Sequence, residues 1–121
     1  MADYLPKFKP GQAVTFTASA DVTGGRLVAL TGNRAVAPAG ADSAAVIGVA
    51  GFDALAGEKV TVYTRAGGVH GLVANGAIAA GAKVISAATG KAATIGAGAN
   101  AIGIALEAAA ADLDVIDVLF I

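Results

Sequence analysis

Apolar and polar residues alternate with period two over several short runs. Val14-Thr15-Phe16-Thr17 is one. Lys59-Val60-Thr61-Val62-Tyr63-Thr64 is longer and rich in β-branched residues, and Ile116-Asp117-Val118-Leu119-Phe120 closes the chain in the same way. A period of two sends alternate side chains to opposite faces, so these runs predict strands with one buried face. Val46-Ile47-Gly48-Val49-Ala50 and Ile102-Gly103-Ile104-Ala105 are apolar throughout, the pattern of a strand covered on both faces. Turn-forming clusters separate the runs: Thr23-Gly24-Gly25, Thr31-Gly32-Asn33, Ala66-Gly67-Gly68 and Asn75-Gly76. About ten strands fit at this spacing, which is that of a sandwich or barrel.

The pattern repeats. Ala18, Val22, Gly25 and Val28 recur as Ala74, Ile78, Gly81 and Val84, Thr31-Gly32 as Thr89-Gly90, and Ile47-Gly48-Val49-Ala50 as Ile102-Gly103-Ile104-Ala105. Leu106 to Leu113 reads as helix on propensity alone. In the repeat it lies opposite the glycine-bounded stretch Gly51 to Glu58, so both are connections of at most one short helical turn. Two copies are too few for a solenoid. The expected fold is therefore all-β, a small antiparallel β-barrel or sandwich closed by two similar halves. An extended N-terminal arm, residues 1–11, precedes a β domain, residues 12–121, whose halves are about 12–65 and 68–121.

Composition sharpens this picture. Alanine is the commonest residue, with 17 Gly, no Trp, two Tyr and four Phe. Small side chains bury little area each, so the core is thin and subunit contacts are expected to supplement it. The arm is the exception. Tyr4, Leu5 and Phe8 concentrate large apolar groups there, flanked by Pro6, Lys7, Lys9 and the Pro10-Gly11 turn signal. Proline limits the freedom of such a segment. Tyr4, Leu5, Pro6, Lys7, Phe8 and Lys9 are thus candidates for contact with a partner or a neighbouring subunit.

Charge and chemistry mostly exclude. Net charge is −1 and the cations are dispersed, whereas nucleic-acid binding needs a basic footprint and stacking groups. No apolar run approaches the ~20 residues of a membrane helix. Met1 to Pro10 has no apolar stretch of the signal-peptide kind, so no targeting step is expected. With no Cys, disulfide and thiolate chemistry are absent. His70 is the single histidine, and none of Ser19, Ser43 or Ser86 lies in a nucleophile-elbow motif. Asp112, Asp114 and Asp117 lack the spacing of a calcium loop. Gly96-Ala97-Gly98-Ala99-Asn100 has a glycine-rich look but not the spacing or Lys-Ser/Thr of a phosphate loop. No catalytic residue, metal site or cofactor is expected.

Several stretches carry a resemblance: Lys9 to Ala18, Val22 to Val28, Val36-Ala37-Pro38-Ala39, Val46 to Asp53, Ala56 to Val62, Gly76 to Gly81 and Ile102 to Ala108. In this order they resemble the capsid decoration (cement) proteins of tailed bacteriophages over nearly the whole chain. The resemblance implies a small β-rich, non-enzymatic structural protein on the outer surface of the phage head, made in the host cytoplasm. It implies the major capsid protein as partner, with a homotrimer favoured because decoration commonly uses local three-fold positions. The runner-up is a small β-module binding a carbohydrate or other ligand at a virion or cell surface. The scarcity of Tyr and Trp weighs against it.

Overall fold

The computed structural model describes residues 4–66 and 68–121; Met1–Asp3 of the arm and Gly67 of the Ala66-Gly67-Gly68 turn signal lie outside them. The strands of the first half are β1 (Ala13–Ala18), β2 (Leu27–Gly32), β3 (Ala35–Pro38), β4 (Val46–Ala50) and β5 (Lys59–Thr64). They close a barrel in the order β1-β3-β2-β4-β5. All pairings are antiparallel except β1 with β3, which is parallel. The second half supplies β6 (Val69–Val73), β7 (Lys83–Ala87), β8 (Lys91–Thr94), β9 (Gly103–Ala105) and β10 (Val115–Phe120). Their order, β6-β10-β9-β7-β8, is the same cyclic sequence. A parallel bridge between Ala74 and Ala92 stands where Ala18 pairs Val36 in the first barrel.

The all-β fold with two similar halves is therefore present, and the repeat extends to individual hydrogen bonds. Ala18 N donates to Glu58 O and Ala74 N to Asp114 O, both at 2.8 Å. Gly25 N donates to Ala50 O and Gly81 N to Ala105 O, again at 2.8 Å. Val22 bridges Ala54 as Ile78 bridges Ala109. Gly25 and Gly81 share a φ of +81° and +84°, a region that glycine enters without steric cost. The connections opposite one another, Gly51 to Glu58 and Leu106 to Asp114, contain no helix. One pair from the sequence comparison does not superpose. Strand register sets Leu30 against Val36 as it sets Ser86 against Ala92, so Gly90 corresponds to Arg34 and not to Gly32.

The first half closes a barrel by itself, and the five-stranded sheet of the second half curls into a like but open one whose edge strands β6 and β8 meet at the Ala74–Ala92 bridge, so the two halves do not close one barrel across the pair. Strands β5 and β10 alternate buried and outward positions as their period-two pattern requires. The inward residues of the first barrel, among them Val28, Val36, Val60 and Val62, form one cluster. On β2, however, Leu27 and Ala29 point the other way and are also buried. With Ala39, Val46 and Val49 they join the cluster of the second barrel. The outer face of β2 and β4 is thus the seat on which the second barrel rests. Leu27, Leu72 and Ile102 are the largest fully buried side chains, in keeping with a thin core.

Candidate functional site

The arm residues Tyr4 to Lys9 form no regular structure and are exposed. Tyr4 and Leu5 expose 78% and 84% of their surface. Phe8 is held back: the Arg34 guanidinium lies 5.3 Å from its ring and 5.9 Å from that of Phe16 on β1. A cation over an aromatic face is attracted by the ring quadrupole, so Arg34 ties the end of the arm to the barrel. Lys9 N donates to the Gln12 side chain at 2.6 Å and Gln12 N returns to Lys9 O at 3.1 Å, which fixes the turn into β1. Tyr4, Leu5 and Lys7 project beyond this anchor with no hydrogen bond or ring contact to the body among the described residues.

A polar seam joins the barrels. Asp42, between β3 and β4, accepts from Ala99 N at 3.1 Å and from Asn100 N at 2.9 Å. The Asn100 side chain donates to Asp42 O at 3.0 Å. The glycine-rich segment Gly96 to Asn100 therefore does cradle an anion, but one of the protein's own. Gly98 is required there, since a Cβ would lie 2.9 Å from Ile85 Cδ1 and from Ile95 O. Ser86 Oγ donates to Gly40 O at 2.7 Å and accepts from Ser43 N at 3.0 Å. Arg65 reaches Val46 O, Ala101 O and Ile121 O at 3.1, 3.4 and 3.1 Å. Arg26 donates to Thr89 O at 3.1 Å. No local pattern in the sequence marks Asp42, Arg65 or Ser86 as a set, because they meet only across the two halves.

The backbone donors of Asn100 and Ala99 hold the Asp42 carboxyl below its ordinary pKa of 3.8. Folding thus favours the ionised form. The resulting stability is fully present above pH 4 and is lost as pH falls through the lowered value. Asp42→Asn, which keeps a side chain suited to the left-handed φ of +49°, should melt at a lower temperature than the wild type at pH 7, with the gap narrowing as pH falls through the lowered value. Melting curves across pH check this; a gap that persists at low pH would place the effect outside the carboxylate.

The remaining sequence candidates have structural positions. His70 lies on β6, 4.9 Å from Phe120 and 6.4 Å from Tyr63 by ring centroids, and its burial lowers its pKa. Ser19 hydrogen-bonds Thr31 and Val36 O, and Ser43 and Ser86 belong to the seam. Asp114 accepts the backbone N–H groups of Ala110 and Ala111 within its own connection, and Asp112 accepts that of Gly76, tying this connection to the one between β6 and β7. Asp117 points outward from β10. In the first barrel a cleft of about 210 Å³ is lined by residues that include Asp21, Asp53, Glu58, Val22 and Leu55. Each of its three carboxylates likewise accepts a backbone N–H, from Ala56, Gly24 and Leu55 respectively.

The described structure is thus two five-stranded β units joined side to end, preceded by an exposed arm bearing large apolar groups. The chain belongs to the phage cement protein family, whose model matches residues 8–120, and so is a phage capsid-associated structural protein. It is similar to a solved structure, the N base of the head fiber gp8.5 in bacteriophage phi29. The TM-score is 0.75 at 19% identity, over 91% of this chain and 93% of that one. At that identity the likeness speaks for the fold. No curated protein sequence matches the chain.

Proposed function

We propose that this protein binds the outer surface of a bacteriophage head and cements the lattice of major capsid protein, without catalysis or cofactor. The family match over residues 8–120 carries this reading. Physically, a protein that bridges neighbouring shell subunits adds contacts that separation must break, and many copies on a lattice need only modest affinity each. The protein acts in the virion after synthesis in the host cytoplasm, engaging neither nucleic acid nor membrane. It works as a homo-oligomer, a trimer in preference, because closed symmetry is the usual state of such assemblies. Tyr4, Leu5, Pro6, Lys7, Phe8 and Lys9 contact the shell or a neighbouring subunit. Tyr4 and Leu5 are the most exposed large apolar residues described.

The test is addition of purified protein to heads that lack it. The protein should co-sediment to a fixed copy number and raise the temperature at which the heads release DNA. Failure to co-sediment would refute binding. Saturable binding without added heat resistance would refute cementing.

A further inference from the structure

The outer face of β6 and β10 is apolar and uncovered. Leu72 and Val118 point into the second core, so strand alternation turns Val69, Val73, Val115 and Leu119 outward. Register sets Val69 beside Leu119 and Val73 beside Val115, with Asp117 opposite Gly71 between the two pairs. Val69, Val115 and Leu119 are exposed, and Ile104 of β9 extends the patch from Leu119. Gly71 has no side chain, which leaves a notch beside the Asp117 carboxylate between two apolar ridges. The corresponding strands of the first barrel, β1 and β5, present Thr15, Thr17, Lys59 and Thr61 outward instead. Contiguous exposed apolar surface marks an interaction site.

The arm has the complementary character. Tyr4, Leu5 and Pro6 are apolar, and Lys7 follows them. The arm carries Lys7 and Lys9 against one acid, whereas residues 68–121 carry four carboxylates against two lysines. All four, Glu107, Asp112, Asp114 and Asp117, lie in β10 or in the connection that leads into it. The arm does not reach this face on its own chain. Phe8 is held at Arg34, in the turn between β2 and β3. Leu27, at the opposite end of β2, lies under the second barrel. Fully extended, Tyr4 to Lys7 spans at most about 14 Å, less than the ~20 Å length of β2.

We propose that the arm of one copy docks on the β6–β10 face of a second copy, with Tyr4 and Leu5 on Val69, Val115 and Leu119 and the Lys7 ammonium toward Asp117. This rests on the homo-oligomer proposed above and names its contact. Large apolar groups on both sides gain by leaving water. A lysine approaching a face bordered by acids is steered in by charge. Each copy has one arm and one such face, so the contact is heterologous and closes a ring where the rotation between copies permits, the favoured trimer being one such ring. Pro6 restricts the arm before it docks, which lowers the cost of ordering it. The Phe8–Arg34 stack fixes the place where the arm leaves the body, at the end away from its own second barrel.

The test uses full-length protein in solution, without heads. By sedimentation velocity at rising concentration the wild type should reach at least about twice the monomer mass. The face variant Leu119→Lys, on the outer side of β10, and the arm variant Tyr4→Ser/Leu5→Ser should each stay at monomer mass while melting like the wild type. Val69→Lys replaces Leu119→Lys if the latter lowers the melting temperature. An equal mixture of the face and arm variants should pair and stop at the dimer, because each pair then holds one intact arm and one intact face. A wild type that stays monomeric, a folded variant that still associates, or a mixture that fails to pair overturns the inference. Co-sedimentation of the wild type with undecorated heads is read beside these. Protein that is monomeric in solution yet binds heads overturns the arm exchange and leaves the cementing reading standing.

Discussion

Gly48→Val should disrupt the first barrel. Gly48 on β4 pairs Thr64 on β5, and a Cβ at this position would overlap the carbonyl oxygen of Tyr63 and lie 2.8 Å from Thr64 Cα. Backbone cannot yield as a flexible side chain does. To make room β5 would have to part from β4, although it is also zipped to β1 over five residue pairs. Overpacking of a well-filled site commonly costs about 1–3 kcal/mol. With two strands forced apart, a loss of at least about 3 kcal/mol is expected, a large share of the ~5–15 kcal/mol of a typical domain. Gly103 repeats the arrangement against Leu119 in the second barrel and should respond alike. The measurement is the urea midpoint beside that of Gly40→Ala, where no atom lies within 4 Å of the added Cβ. Equal midpoints for the two variants would show that close approach of β4 and β5 is not what requires glycine.

Deletion of residues 2–9 should leave both barrels folded and weaken attachment to heads at least about tenfold. The strands begin at Ala13, and the contact that ties the arm to the body is the Phe8–Arg34–Phe16 stack. Removing it costs the fold little, since exposed cation–π pairs are worth about 0.5–1 kcal/mol. Attachment is different. Aromatic anchors dominate interface energy, and losing one costs about 2 kcal/mol or more. Pro6 and Pro10 restrict the free arm and so lower the cost of ordering it on a partner. Co-sedimentation of the truncated protein with undecorated heads, beside a melting curve, is the measurement. Unchanged binding would reduce the arm to a tail, and loss of the melting transition would assign it to the core.

The chain's local patterns were sufficient for its local structure. Period-two runs at Lys59–Thr64 and Val115–Phe120 became strands, since alternation of side chains is a property of the extended backbone itself. The shift of 56 residues was legible because both halves need the same buried positions and the same left-handed glycines at Gly25 and Gly81. It also overrode the helical look of Leu106 to Leu113. Where each sheet closes was not legible. Closure depends on β1 meeting β3 and β5, a matter of which distant segments pair, and alternation is the same for every choice of partner. The double burial at Val46–Ala50 was visible, but not its cause: one face lines a barrel and the other carries its neighbour. The seam was hidden for a further reason. Asp42, Ser86, Arg65 and Asn100 are single polar residues whose partners are largely backbone groups, which carry no sequence signature.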